Sequence, residues 1–150
     1  MNKIKITVVG SGFVGMSIAV LLSQHNKVVV LDIDSEKVQT INNKQTTIND
    51  NEIETFLIEK ELNLSATLDK QAAYKDASFV VVATPTDYDP QTNCFDTSSV
   101  DTVVKDALNA NSNAFVVIRS TVPVGYTQSL QKIHGTDRIF FSPEFLREGH

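Results

Sequence analysis

Tryptophan is absent, and 150 residues hold one cysteine, two methionines, four prolines and six glycines. A lone cysteine excludes a disulfide within the chain and fits a reducing compartment. No Lys/Arg cluster occurs, and 13 basic against 18 acidic residues leave a net charge of −5. That balance argues against nucleic acid or an anionic membrane as a partner. The uncharged stretch from Ile6 to Leu22 has only 17 residues, short for a bilayer span, and Gly10, Gly12 and Gly15 interrupt it. Lys3 and Lys5 precede it as in a signal peptide, but no A-x-A cleavage site follows. The expected location is the cytoplasm. With 41% hydrophobic and 21% charged residues the composition is globular, and the length suits one domain.

What is present is an alternation of short β-branched runs and longer helical patterns. Strands are expected at Lys3–Val9, Lys27–Asp32, Leu64–Thr67, Phe79–Ala83, Phe115–Arg119 and Arg138–Phe141. Helices are expected at Phe13–Ser23, Ser35–Asn43 (capped by Ser35), Asn51–Lys60, Lys70–Lys75, Ser99–Asn109 and Gly125–Ile133. Thr84–Thr97, with Pro85 and Pro90, reads as loop. The strong strands are continuous apolar runs, as strands covered on both faces require. The fold class is therefore α/β, a doubly wound parallel sheet with helices on both faces. The chain closes on a charged segment after a strand, with no further helix, which suggests a fragment of a longer protein.

Gly10-Ser11-Gly12-Phe13-Val14-Gly15 fits G-x-G-x-x-G, after an expected strand and at the start of an expected helix. In that context the first glycine makes a tight turn, the second admits a pyrophosphate, and the third lets helix and strand pack closely. Amides at the helix start, with its dipole, then hold the phosphates. Asp32 follows 22 residues after Gly10, at the end of the second strand. A carboxylate there accepts ribose hydroxyls and repels a 2′-phosphate, so a Rossmann-type site for NAD rather than NADP is expected. Lys37, one turn into the next helix, either reaches the same ribose or is a solvated charge.

Two further strand ends carry hydroxyls: Thr84-Pro85-Thr86, and Ser120-Thr121-Val122-Pro123-Val124-Gly125. They are either ligand-facing or ordinary turn residues. In Ser142-Pro143-Glu144-Phe145-Leu146-Arg147-Glu148-Gly149, Glu144 and Glu148 would share a face if helical. They could act as acid/base groups or polar substrate ligands, or be a solvated tail. Cys94 has no histidine near it in sequence and is not read as a nucleophile. Asp87-Tyr88-Asp89 lacks the rest of a calcium loop, so no metal site is expected. His25 and His134 read as surface or capping residues.

Taken together, GSGFVG, VATPTDYDP, STVPVG and FSPEFLREG, in this order, resemble the N-terminal part of the UDP-glucose/GDP-mannose dehydrogenase family. ATPTDYD favours its UDP-glucose branch. The resemblance implies oxidation of a sugar C6 alcohol to a uronic acid with two NAD, the aldehyde being held on a cysteine. It implies that Val14, Asp32, Lys37, Thr86, Thr121 and Glu148 contact NAD. Glu144, Phe145, Leu146, Arg147 and Glu148 would line the UDP-sugar site. Glu144 would be the general base for thioester hydrolysis, and Thr121 would help hold the catalytic water. The family's catalytic cysteine, active-site lysine, dimerising helix and C-terminal domain lie beyond position 150, so the resemblance implies a homodimer only for the complete enzyme. Cys94 does not match the catalytic position. Rival readings are another nucleotide-sugar or hydroxyacid dehydrogenase, or a non-catalytic NAD-sensing module.

Overall fold

The computed structural model describes residues 4–48, 50–84, 86, 88–89, 91 and 94–142. The chain runs β1 (Lys5–Val9), α1 (Phe13–Leu22), β2 (Lys27–Leu31), α2 (Ser35–Asn42), α3 (Asn51–Glu59), β3 (Leu64–Thr67) and α4 (Lys70–Tyr74). It continues β4 (Phe79–Val82), β5 (Tyr88–Asp89), β6 (Cys94–Phe95), α5 (Ser98–Ala110), β7 (Phe115–Ile118), α6 (Tyr126–His134) and β8 (Ile139–Phe141). Six strands form one sheet in the order β3-β2-β1-β4-β7-β8, and every pairing in it is parallel. This is the doubly wound order, reversing direction between β1 and β4.

Parallel strands buried on both faces must be apolar on both, and the valine runs meet that demand. Val8, Val28 and Val30 face a core closed by Met16, Ala19 and Val20 of α1, Ile41 of α2 and Ile53 and Leu57 of α3. Val9, Val29, Leu31, Val80 and Val82 face the other core, closed by α4, α5 and α6 through Tyr74, Val100, Val104 and Leu130. Thr7 is fully buried in β1 and donates its hydroxyl to the Ala73 carbonyl, which ties the sheet to α4. Among the described residues no helix is long and apolar enough to cross a membrane.

Two local expectations change. The cap of α2 is Asp34 rather than Ser35: its carboxylate accepts from the amides of Glu36 at 2.9 Å and Lys37 at 3.4 Å. A charged acceptor one residue earlier satisfies two free amides of the first turn, so Ser35 becomes helical. The loop expected at Thr84–Thr97 contains the antiparallel pair β5–β6, Tyr88 opposite Phe95 and Asp89 opposite Cys94. Two-residue strands are too short to carry a periodicity in the sequence.

Burial, and then the charge of Asp106, push the Tyr74 phenol above its ordinary value. Tyr126 is also raised, by burial and then by its bond to Asp101. A raised tyrosine keeps its proton in the folded chain while the unfolded chain loses it near pH 10. Its contribution is complete below about pH 10 and is lost as pH rises further. Urea unfolding above pH 10 should therefore show falling stability, Tyr74 alone contributing up to about 1.4 kcal/mol per pH unit. Tyr74→Phe should flatten that slope, and an unchanged slope would refute the assignment.

Candidate functional site: a dinucleotide cleft at the strand ends

A cleft of about 1080 Å³ opens at the carboxyl ends of the strands, where the strand order reverses. Its floor is the turn between β1 and α1. Gly10 has φ +102°, and a Cβ there would stand 2.6 Å from the Ala83 carbonyl oxygen. A Cβ on Gly15 would stand 2.1 Å from the Gly10 oxygen. These two glycines allow β1, α1 and the end of β4 to touch. Gly12 differs: among the described residues no atom lies within 4 Å of its would-be Cβ. Its hydrogen faces open space, which a close-approaching ligand requires. The N-cap of α1 is Gly12, which has no side chain to accept from the first amides, so these amides and the dipole's positive end suit an anion. Phe13 and Val14 also line the cleft.

Asp32 directly follows β2. Its Oδ2 accepts from the Ser11 amide at 3.1 Å and the Ser11 hydroxyl at 2.6 Å, and its Oδ1 from the Asp34 amide at 3.0 Å. Lys37, exposed, shares the same wall. Ile33 and Leu68, exposed to 95% and 51%, line the cleft together with Asp32. Apolar surface left open beside a carboxylate suits an adenine face beside its ribose. Neither residue was evident from the sequence, because exposure depends on where β2 and β3 end relative to each other.

The opposite wall is built from hydroxyls. The buried Ser120 donates to the Thr84 carbonyl at 2.6 Å, while Thr86 donates to the Thr121 carbonyl at 2.6 Å. The loops after β4 and β7 thus hold each other by reciprocal bonds. The Ser99 hydroxyl of α5 lies 3.1 Å from that of Thr84 and ties the helix to the same wall. Thr86 and Thr121 both line the cleft, so the two hydroxyl turns share one wall. Ser120 was legible as part of its hydroxyl turn, whereas Ser99 was not; only the meeting of distant loops shows their partners.

Ser142, beyond β8, is anchored to β7: its amide donates to the Ile118 carbonyl at 3.0 Å, and Arg119 Nη1 donates to its hydroxyl at 2.8 Å. Glu144, Phe145, Leu146, Arg147 and Glu148 lie outside the described residues, as does Asp87. Cys94 lies in β6, in the connection between β4 and α5. His25 is exposed after α1, and His134 ends α6. Among the described residues no three His, Cys, Asp or Glu side chains gather as a metal site would need.

The chemistry of these groups fits a dinucleotide: amides for a pyrophosphate, a carboxylate for a ribose, apolar surface for a base. Comparison with known proteins agrees with the fit. The profile of the "UDP-glucose/GDP-mannose dehydrogenase family, NAD binding domain" matches residues 4–150. The chain is 51% identical over 144 residues to a UDP-glucose 6-dehydrogenase of Streptococcus pneumoniae, covering 96% of this chain and 36% of that protein. It is 50% identical over 147 residues to one of Campylobacter jejuni, covering 97% and 37%. A crystal structure of a ternary complex of GDP-mannose dehydrogenase from Pseudomonas aeruginosa superposes with a TM-score of 0.79 at 26% identity, over 95% of this chain and 36% of that one. The chain thus spans little more than a third of the length of these relatives.

Proposed function

The chain belongs to the UDP-glucose/GDP-mannose dehydrogenase family, as its NAD-binding domain, and from that premise we propose that it is the cofactor-holding part of a longer, cytoplasmic UDP-glucose 6-dehydrogenase. The observation that carries the cofactor half is the Asp32 carboxylate, held beside a glycine turn whose central Cβ position is open. In this reading α1 and the Gly12 backbone hold the pyrophosphate, and Asp32 with Lys37 holds the adenosine ribose. Ile33 and Leu68 cover the adenine. Thr86 and Thr121 border the nicotinamide end. When bound, NAD supplies a hydride acceptor. The domain's own work is to orient that acceptor and to keep a 2′-phosphate out, through the negative charge of Asp32.

The substrate half rests on the resemblance of FSPEFLREG. Glu144 takes the part of general base for thioester hydrolysis, with Thr121 helping to hold the water. Phe145, Leu146, Arg147 and Glu148 take the part of a wall of the UDP-sugar site, and Glu148 is also assigned to the cofactor. The complete protein would be a homodimer. The 51% identity to a UDP-glucose 6-dehydrogenase favours UDP-glucose over other nucleotide sugars.

The test has two arms. Calorimetric titration of this chain should show NAD binding at least tenfold more tightly than NADP, about 1.4 kcal/mol of discrimination. The complete protein, given UDP-glucose, UDP-N-acetylmannosamine or GDP-mannose with excess NAD, should release two NADH per UDP-glucose and turn over the other two poorly. Equal affinity for NAD and NADP would sink the cofactor assignment. A preference for another sugar nucleotide would replace the substrate.

A further inference from the structure

Asp32 is held in a particular way, and the residue that holds it lies inside the glycine turn. A carboxylate offers about four lone-pair sites. Three are taken without any ligand: the Ser11 amide and hydroxyl fill Oδ2 at 3.1 and 2.6 Å, and the Asp34 amide takes one site on Oδ1 at 3.0 Å. One acceptor site on Oδ1 remains. Two backbone amides pin one oxygen each, that of Ser11 on Oδ2 and that of Asp34 on Oδ1. The Ser11 hydroxyl adds the third and shortest bond, 2.6 Å to Oδ2, which locks the plane the two amides set.

Ser11 is itself fixed. It is 2% exposed, and its carbonyl accepts the Thr47 hydroxyl at 2.6 Å from the connection between α2 and α3. Its amide, hydroxyl and carbonyl are therefore all engaged. Ser11 occupies a variable "x" position of the glycine motif, where the phosphate-binding reading asks for no particular side chain.

We propose that Ser11 is a positioning residue for the ribose site: its hydroxyl fixes the plane of the Asp32 carboxylate so that the remaining Oδ1 acceptor is presented to the cofactor. This inference rests on the reading of Asp32 as a ribose ligand. It adds that part of the preference for NAD resides in a serine that need not touch the ligand. Preorganisation of this kind tightens binding by removing the ordering of a side chain from the binding step.

The experiment is a double-mutant cycle on this chain, with Ser11→Ala, Asp32→Ala and the pair, each titrated with NAD and with NADP. Ser11→Ala should weaken NAD about three- to tenfold, the range of one hydrogen bond. NADP affinity should change less, since a carboxylate is no ligand for its 2′-phosphate, so discrimination narrows. In the Asp32→Ala background, Ser11→Ala should add nothing for NAD, because the group it acts through is gone. Damage to the turn itself would weaken NAD and NADP equally and persist in the double mutant; that result overturns the proposal. Tighter NAD binding by Ser11→Ala would also overturn it, showing the hydroxyl to be a competitor for Oδ2. Asp32→Ala with unchanged NAD affinity would overturn the ribose assignment and this inference with it.

Discussion

Gly15→Ala should cost this chain both its cofactor site and about 3 kcal/mol or more of stability, at or beyond the upper end of what overpacking usually costs. The new methyl would stand 2.1 Å from the Gly10 carbonyl oxygen and 3.0 Å from its carbon. Both are backbone atoms of the turn, so no rotamer change relieves the clash. Relief requires α1 to move away from β1, yet Met16, Ala19 and Val20 of the same helix are packed into the core. Moving the helix also moves its N-terminal amides away from the phosphates, so NAD affinity should fall by more than about a hundredfold, or about 2.8 kcal/mol. Gly12→Ala is the control. No atom of the described residues lies within 4 Å of its Cβ position, and its φ of −78° suits any residue. That variant should melt with the wild type and still bind NAD poorly, because its methyl fills the space the pyrophosphate approaches. Urea unfolding and calorimetric titration of both variants read the difference. A Gly15→Ala chain of wild-type stability and affinity would refute this account of the turn.

Asp32→Ala should weaken NAD binding about ten- to hundredfold, since a hydrogen bond to a charged group is worth about 1.5–3 kcal/mol. NADP affinity should rise relative to NAD, because the charge that repels a 2′-phosphate is removed. The side chain is only partly buried, and its polar partners are Ser11 and Asp34. Its loss should therefore disturb local order more than global stability. Titration of both nucleotides at one ionic strength separates ligand loss from charge loss. Unchanged NAD affinity would remove Asp32 from the site.

Most of the architecture was legible in the chain, because its signals are local or periodic. Val28-Val29-Val30 and Val80-Val81-Val82 are apolar on both faces, and only a strand covered on both sides tolerates that. The glycine turn was legible because φ +102° at Gly10, and the close approach at Gly15, need residues without side chains. Asp32 was legible because the spacing from turn to second strand end is set by one helix and one strand. Element ends were less so: Asp34 displaced Ser35 as a cap, and the β5–β6 pair is too short to leave a pattern.

The sequence by itself determined the order of the helices and of the strands of the main sheet, the parallel pairing, the glycine turn and the acidic residue just after the second strand. Only the tertiary structure decided how that carboxylate is held and which hydroxyls join the two strand-end loops. Ser11 meets Asp32 across 21 residues, Thr47 meets Ser11 across 36, and Ser120 meets Thr84 across 36. No periodicity links such pairs. They meet because β2 and β4 flank β1 while β7 flanks β4, so that their carboxyl ends converge on one edge. Apolar patterning selects strands and helices by their faces; a hydrogen bond between loops depends on where those strands end in space.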